Sequence, residues 1–205
     1  FAARASQGHI GRARGLATEE ASRTRRQSDL RSAISLRDVP SCVFAAHEMV
    51  TAATTAANTR ADELDTKEDE QLKAAFGIEE GSRVKGPSKL KVEAAKKQLL
   101  KHQKSRRKRM IRDEADRSLV DLLGLFRDVL MVQVGSNLEL INQEMRPAVE
   151  SFAARGNPAD TTRTLVAIEQ ARASIKASTP PQLAVEAVMV SIKDPKLASV
   201  HVNTQ

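Results

Sequence analysis

Four histidines, one cysteine and 26 carboxylates are the side chains with which this 205-residue chain could do chemistry. His9, His47, His102 and His201 stand far apart. None lies in an H-E-x-x-H helix motif or at metal-ligand spacing from Cys42, so no metal site is expected. Cys42, followed by Val43 and Phe44, reads as a small buried hydrophobe rather than a nucleophile. Acid–base catalysis needs two groups whose surroundings hold their protonation states apart. The carboxylates of residues 62–80 instead crowd one stretch, with nothing to bury one and leave another wet. No G-x-x-x-x-G-K-[ST] or G-x-G-x-x-G run occurs, and Gly81-Ser82-Arg83 to Gly86-Pro87 reads as a flexible loop rather than a phosphate cradle. These residues predict no catalytic group, no metal and no cofactor in the chain.

Charge is the stronger signal. The net charge is +7 and the pI about 9.8. From Lys85 to Arg112 there are twelve Lys/Arg and one acid, Glu93, so this segment carries +11 and the rest of the chain −4. From Arg60 to Glu80, eight acids face three bases, a net −5. Lys96, Lys97, Lys101, Lys104, Arg106, Arg107, Lys108 and Arg109 are thus the candidates for DNA or partner contact, by phosphate neutralisation and counterion release. The competing reading is a solvated helix face paired with the acidic segment. No aromatic residue interleaves the basic run, which argues against base stacking on single strands.

The elements that must position these residues are helical. Aromatics make up 2% of the chain, Ala, Leu, Val, Arg, Lys and Glu dominate, and runs of alternating β-branched residues are absent. No apolar run approaches the roughly 18 residues of a membrane span. Phe1-Ala2-Ala3-Arg4 reads as the middle of a helix, so the chain is expected to be a piece of a longer one. A turn at Ala5–His9 should lead into a helix from about Ile10, with Thr18–Arg26 as its charged continuation. A second helix should start near Leu36, capped by Ser35 or Ser41 with Pro40 in its first turn, and end near Phe76-Gly77. After a loop over Gly77–Ser88, one rod is expected from Lys89 to Val134. Its second half should bury Leu119, Val120, Leu123, Phe126, Leu130 and Val134. Its first half should project and pair antiparallel with the acidic helix. Asn137–Ala154 should be a helix interrupted by Pro147, which should kink or restart it. Asn157-Pro158 opens another helix to about Ala177, and Ser178-Thr179-Pro180-Pro181 opens the last, Gln182–Ile192. The stripe Leu183, Ala184, Ala187, Val188 and Ile192 should pack in the core or against another subunit. The tail from Lys193 is expected to fray.

Two motifs near opposite ends carry a resemblance. S-Q-G-H-I-G-R-A, Ser6 to Ala13, is similar to the lid segment of AAA+ clamp-loader subunits, where a Gly-containing turn opens the helix bearing the sensor-2 residue. T-P-P-Q-L-A-V-E-A-V-M-V, Thr179 to Val190, looks like the last helix of their collar. Between them, S-L-R-D-V at Ser35–Val39 and L-F-R-D-V-L at Leu125–Leu130 resemble the delta-prime family of bacterial DNA polymerase III, in its high-GC Gram-positive form. The resemblance implies an all-α fold, with residues 1–28 as the end of a lid domain and 29–205 as a helical collar that includes a charged hairpin at 55–112. It implies a structural, stator-like role among clamp-loader subunits (gamma/tau and delta) that load the sliding clamp on primed DNA, in the cytoplasm at the nucleoid. The parent assembly would be a DNA-directed DNA polymerase. ATP-hydrolysing relatives carry Gly-Ser-x-Arg in the lid turn, and that arginine reaches the nucleotide phosphates. Here Gly11 follows Gly8-His9-Ile10 and the arginine is Arg12, one residue later. A shift of one residue is about 100° of rotation, so Arg12 should point away and the sensor-2 region be vestigial. The alternative is a basic helical hairpin that binds nucleic acid outside replication.

Overall fold

The computed structural model describes residues 2–6, 8–78 and 87–197. These form eight α-helices and two 3-10 turns, with no strand among the described residues, so the fold is all-α. The helices are α1 (Ala2–Ala5), α2 (Ile10–Thr18), α3 (Glu20–Ile34), α4 (Val39–Ala75), α5 (Pro87–Gln133), α6 (Arg146–Ala153), α7 (Pro158–Lys176) and α8 (Pro181–Lys193). The 3-10 turns are Gln143–Met145 and Pro195–Leu197. The chain divides into two compact units, residues 53–114 and the residues before and after them. Residue 28, the expected end of the lid, lies inside α3.

Local chemistry sets the helix ends. Neither Ser35 nor Ser41 is the cap of α4, which starts later than Leu36. Asp38 precedes its first residue and accepts from the Ser41 N–H at 2.9 Å, while the Asp38 N–H donates to Ser41 Oγ at 3.0 Å. This reciprocal capping box satisfies two helix-start donors, and Ser41 serves it from within the first turn, beside Pro40. At the other end, Gly77 adopts φ +61° and the Ile78 N–H reaches the Lys73 carbonyl at 2.9 Å. Gly135 ends α5 in the same way at φ +66°, with the Ser136 N–H on the Met131 carbonyl at 2.9 Å. Both are Schellman closures, for which glycine removes the Cβ penalty.

Three expectations are corrected. The segment Thr18–Arg26 does not continue α2: Glu19 is extended and α3 restarts at Glu20. Residues 137–142 are not helical, because the buried Asp128 carboxylate takes the N–H groups of Ile141 (3.0 Å) and Asn142 (2.7 Å) away from any helix ladder. Pro147 sits in the first turn of α6, where its missing N–H costs nothing, so a helix starts at Pro147 as expected but none precedes it over residues 137–142. From residue 198 onward the tail lies outside the described residues, but it does not fray at Lys193. That residue closes α8, and Pro195–Leu197 form a 3-10 turn whose Leu197 N–H donates to the Asp194 carbonyl. The loop expected over Gly77–Ser88 lies largely outside the described residues, and α5 begins at Pro87.

The core of the larger unit is built on α5, on a face that shares Leu119 and Phe126 with the predicted apolar stripe and leaves out the rest of it. Leu119, Leu122, Leu125, Phe126 and Val129 are buried, with Ser118, Asp121 and Asp128 beside them. Val120, Leu123 and Leu130 are only half-buried and Val134 is exposed. At 100° per residue the buried face is turned by roughly 120° from the predicted stripe. Around it lie Leu30 and Ala33 of α3, Ala46 and Met49 of α4, Val149 of α6, Ile168 and Ile175 of α7, and Val185, Val188 and Met189 of α8. Phe126 meets Phe152 edge-to-face, ring centroids 5.6 Å apart.

In the smaller unit, α4 from residue 53 and α5 up to residue 114 run antiparallel. Arg60 pairs with Glu114 (2.6 Å), Arg107 with Asp62 (2.7 Å) and Asp65 (2.6 Å), and Arg106 with Glu68 (2.8 Å), so partner numbers fall as position rises. Ala53, Ala57 and Ala61, a row at i, i+4, i+8, are fully buried and let the backbones approach closely.

Candidate functional site

The motif at Ser6–Ala13 combines a left-handed break at Gly8 with the first turn of α2. Gly8 takes φ +85°, where a Cβ would be strained, and the His9 N–H closes on the Ser6 carbonyl at 3.0 Å. Gly11 has ordinary helical geometry, and a Cβ there would meet nothing within 4 Å. From this turn Arg12 reaches inward and forms an ion pair with Asp121 of α5. Asp121 also accepts from Arg26 Nε at 2.7 Å. Arg26 in turn donates to Asn142 and to Glu144, the latter at 3.1 Å, and Asn142 donates to Asp128 at 2.8 Å. Arg26, Asp121, Asp128 and Asn142 are all buried. Burial lowers the Arg12 guanidinium, and Asp121 opposes that; burial raises the Asp121 carboxyl, and Arg12 and Arg26 oppose that. Buried charges persist only when paired and hydrogen-bonded, and this network satisfies them. Arg12 is thus committed to the interior of the fold.

The eight basic candidates separate by their position around α5. Arg106 and Arg107 are spent inside the helix pair on Asp62, Asp65 and Glu68. The hydrogen bonds that Arg106 donates to Glu68 and Asp65 raise its guanidinium further, and those that Arg107 donates to Asp62 and Asp65 do the same. Gln103 joins them, buried, with Nε2 3.4 Å from the Asp65 carbonyl. Lys96, Lys97, Lys101, Lys104, Lys108 and Arg109 are exposed and form no ion pair among the described residues.

The stripe on α8 also divides. Ala184, Val188 and Ile192 are buried, together with Val185 and Met189, whereas Leu183 (59% exposed) and Ala187 face outward. Near the outward face of α8, Gln182 and Glu186 line a shallow apolar groove with Val39, Pro40, Val43, Phe44 and His47 of α4. Phe44, the most exposed of the five Phe among those described, is 67% exposed there. Cys42, two residues before Phe44, is buried, and burial pushes its thiol up. Among the described residues no group of His, Cys, Asp and Glu could hold a metal ion, and no helix is long and apolar enough to cross a membrane.

The buried network of Arg26, Asp29, Ser118, Asp121, Asp128 and Asn142 escaped the sequence reading. Its signal was present: Glu114, Ser118, Asp121 and Asp128 recur at i, i+4, i+7, i+14, which keeps them on one helix face. A search for apolar periodicity alone discards that recurrence. Comparison of the chain with protein-family models, curated proteins and solved structures finds no match.

Proposed function

We propose that this chain is a non-catalytic assembly module of a bacterial clamp loader of the delta-prime kind, whose helical collar binds neighbouring subunits. The observation that carries the reading is the apolar groove between α4 and α8. Val39, Val43 and Phe44, which line it, are all more than 40% exposed, on a helix whose opposite face is packed. An exposed cluster of large apolar side chains marks a protein contact. The resemblance of Thr179–Val190 to a collar helix says which kind. The commitment of Arg12 to Asp121 agrees, since a stator needs no arginine on a nucleotide. In this role the chain would act in the cytoplasm, against gamma/tau and delta subunits, without a cofactor of its own.

The test is co-expression with those subunits and size-exclusion chromatography of the mixture. The chain is expected to co-elute with them, and Phe44→Asp to abolish co-elution while leaving the melting temperature of the isolated chain within a few degrees. Unchanged assembly of the variant would remove the groove from the interface. Failure of the parent chain to associate with any of these subunits would remove the reading itself.

A further inference from the structure

On α5, Lys97, Lys101, Lys104 and Lys108 recur at i, i+4, i+7, i+11 and so share one narrow face, about 60° of arc at 100° per residue. All four are exposed and none has an ion-pair partner among the described residues. Three acids of α4 are engaged elsewhere. Asp62, Asp65 and Glu68 bind Arg106 and Arg107, which lie with Gln103 roughly 140° round α5 from the row. The one acid of the basic segment, Glu93, stands before the row, with Lys89 Nζ 3.8 Å from its carboxylate. The helix pair therefore sorts its charge: Arg106 and Arg107 inward as cross-links, the four lysines outward as a line with no ion pair among the described residues.

We propose that Lys97, Lys101, Lys104 and Lys108 form a phosphate-binding row for the backbone of double-stranded DNA. Eleven residues of helix span about 16 Å, and a duplex strand presents a phosphate every 3.4 Å of its axis, so the row can face four or five phosphates of one strand. Lysine is a compact point charge on a flexible stem, suited to phosphates in any sequence and to no base edge. Single strands fit less well, because no Phe, Tyr or Trp lies between Gly77 and Leu125 to stack a base. The row does not depend on the assembly role, although the choice of DNA over RNA rests on that reading.

The experiment is a fluorescence-anisotropy titration of the 205-residue chain on two 30-base-pair DNA duplexes of unrelated sequence, a duplex RNA, a single strand and phosphatidylserine vesicles. The duplexes are expected to bind equally. Neutralising four phosphates gives a salt slope of about −3.6, roughly a hundredfold loss of affinity between 50 and 200 mM salt. Replacing all four lysines with Glu should weaken duplex binding at least tenfold at about 50 mM salt and flatten that slope. A charge-matched control, Arg14→Glu, Arg31→Glu, Lys176→Glu and Lys196→Glu together, should change binding far less. Should the Glu variant lose helicity by circular dichroism, the Gln version of the same four positions is read instead. Equal losses in row and control variants, no duplex binding at 50 mM salt, or tighter binding to duplex RNA, single strand or vesicles would overturn the proposal. None of these outcomes bears on co-elution with clamp-loader subunits, which tests the other reading separately.

Discussion

Asp29 is an acid that the fold holds against its ordinary chemistry. It lies buried on α3, where Ser118 Oγ donates to it at 2.8 Å. Burial raises its carboxyl to about 7; the Ser118 hydrogen bond and Arg25 hold it down, and Asp121 adds to the rise. In the unfolded chain the same group titrates near 3.8. Between about pH 4 and 7 the folded state therefore binds a proton that the unfolded state has released, and stability falls as pH rises through that window. The gap corresponds to at most roughly 4 kcal/mol, less whatever water penetration recovers. Asp29→Asn keeps an acceptor for Ser118 and removes the charge. The melting temperature of the parent should drop between pH 5 and 8, and that of the variant should drop less and stand higher at pH 8. Parallel curves for the two proteins would show that Asp29 is not the group responsible.

At the scale of the element, α8 has two faces with different duties. Val188 is 1% exposed and Leu183 is 59% exposed, five residues away. An Asp at Val188 would be buried without a partner, which costs on the order of 3 to 5 kcal/mol. That is a large part of the roughly 5 to 15 kcal/mol holding a typical domain together. Val188→Asp should lower the melting temperature by ten degrees or more, whereas Leu183→Asp should leave it almost unchanged, as read by thermal denaturation of the isolated chain. Comparable destabilisation by both would mean that α8 has no free face, and the groove beside it would lose its role.

Over the whole molecule, stability should be uneven. The large unit buries Leu, Ile, Phe, Met and Val side chains, each worth about 1.5 to 3 kcal/mol. The unit of residues 53–114 buries only Ala53, Ala57 and Ala61 among its described apolar residues, and relies on partly exposed ion pairs worth about 0.2 to 1 kcal/mol each. Its amides should open at lower free energy. Hydrogen exchange read by mass spectrometry should show 95–110 exchanging at least tenfold faster than 119–129, with the difference growing at high salt as the pairs are screened. Equal protection along α5 would contradict this division.

What the sequence determined by itself were the features that depend on near neighbours. The all-α class, the two long rods, the Asn157-Pro158 start and the opposed charges of the acidic and basic segments all follow from spacing of a few residues, and all were legible. The cap of α4 was missed narrowly, because Ser35, Asp38 and Ser41 are each competent caps and only the final path of the chain selects Asp38. Tertiary structure decided the rest. A basic residue has the same propensity whether it cross-links or stands free, so Arg106 could not be told from Lys108 until α4 lay against one side of α5 and not the other. Arg12, one residue past the place where the resemblance puts a sensor arginine, met its partner Asp121 from 109 positions away. The face of α5 that enters the core can carry Asp121 because Arg12 and Arg26, donors far off in sequence, pair with it, and Asp128 because Arg127, Asn142 and the Ile141 N–H do. Periodicity assumes that buried means apolar, and a paired carboxylate defeats that assumption.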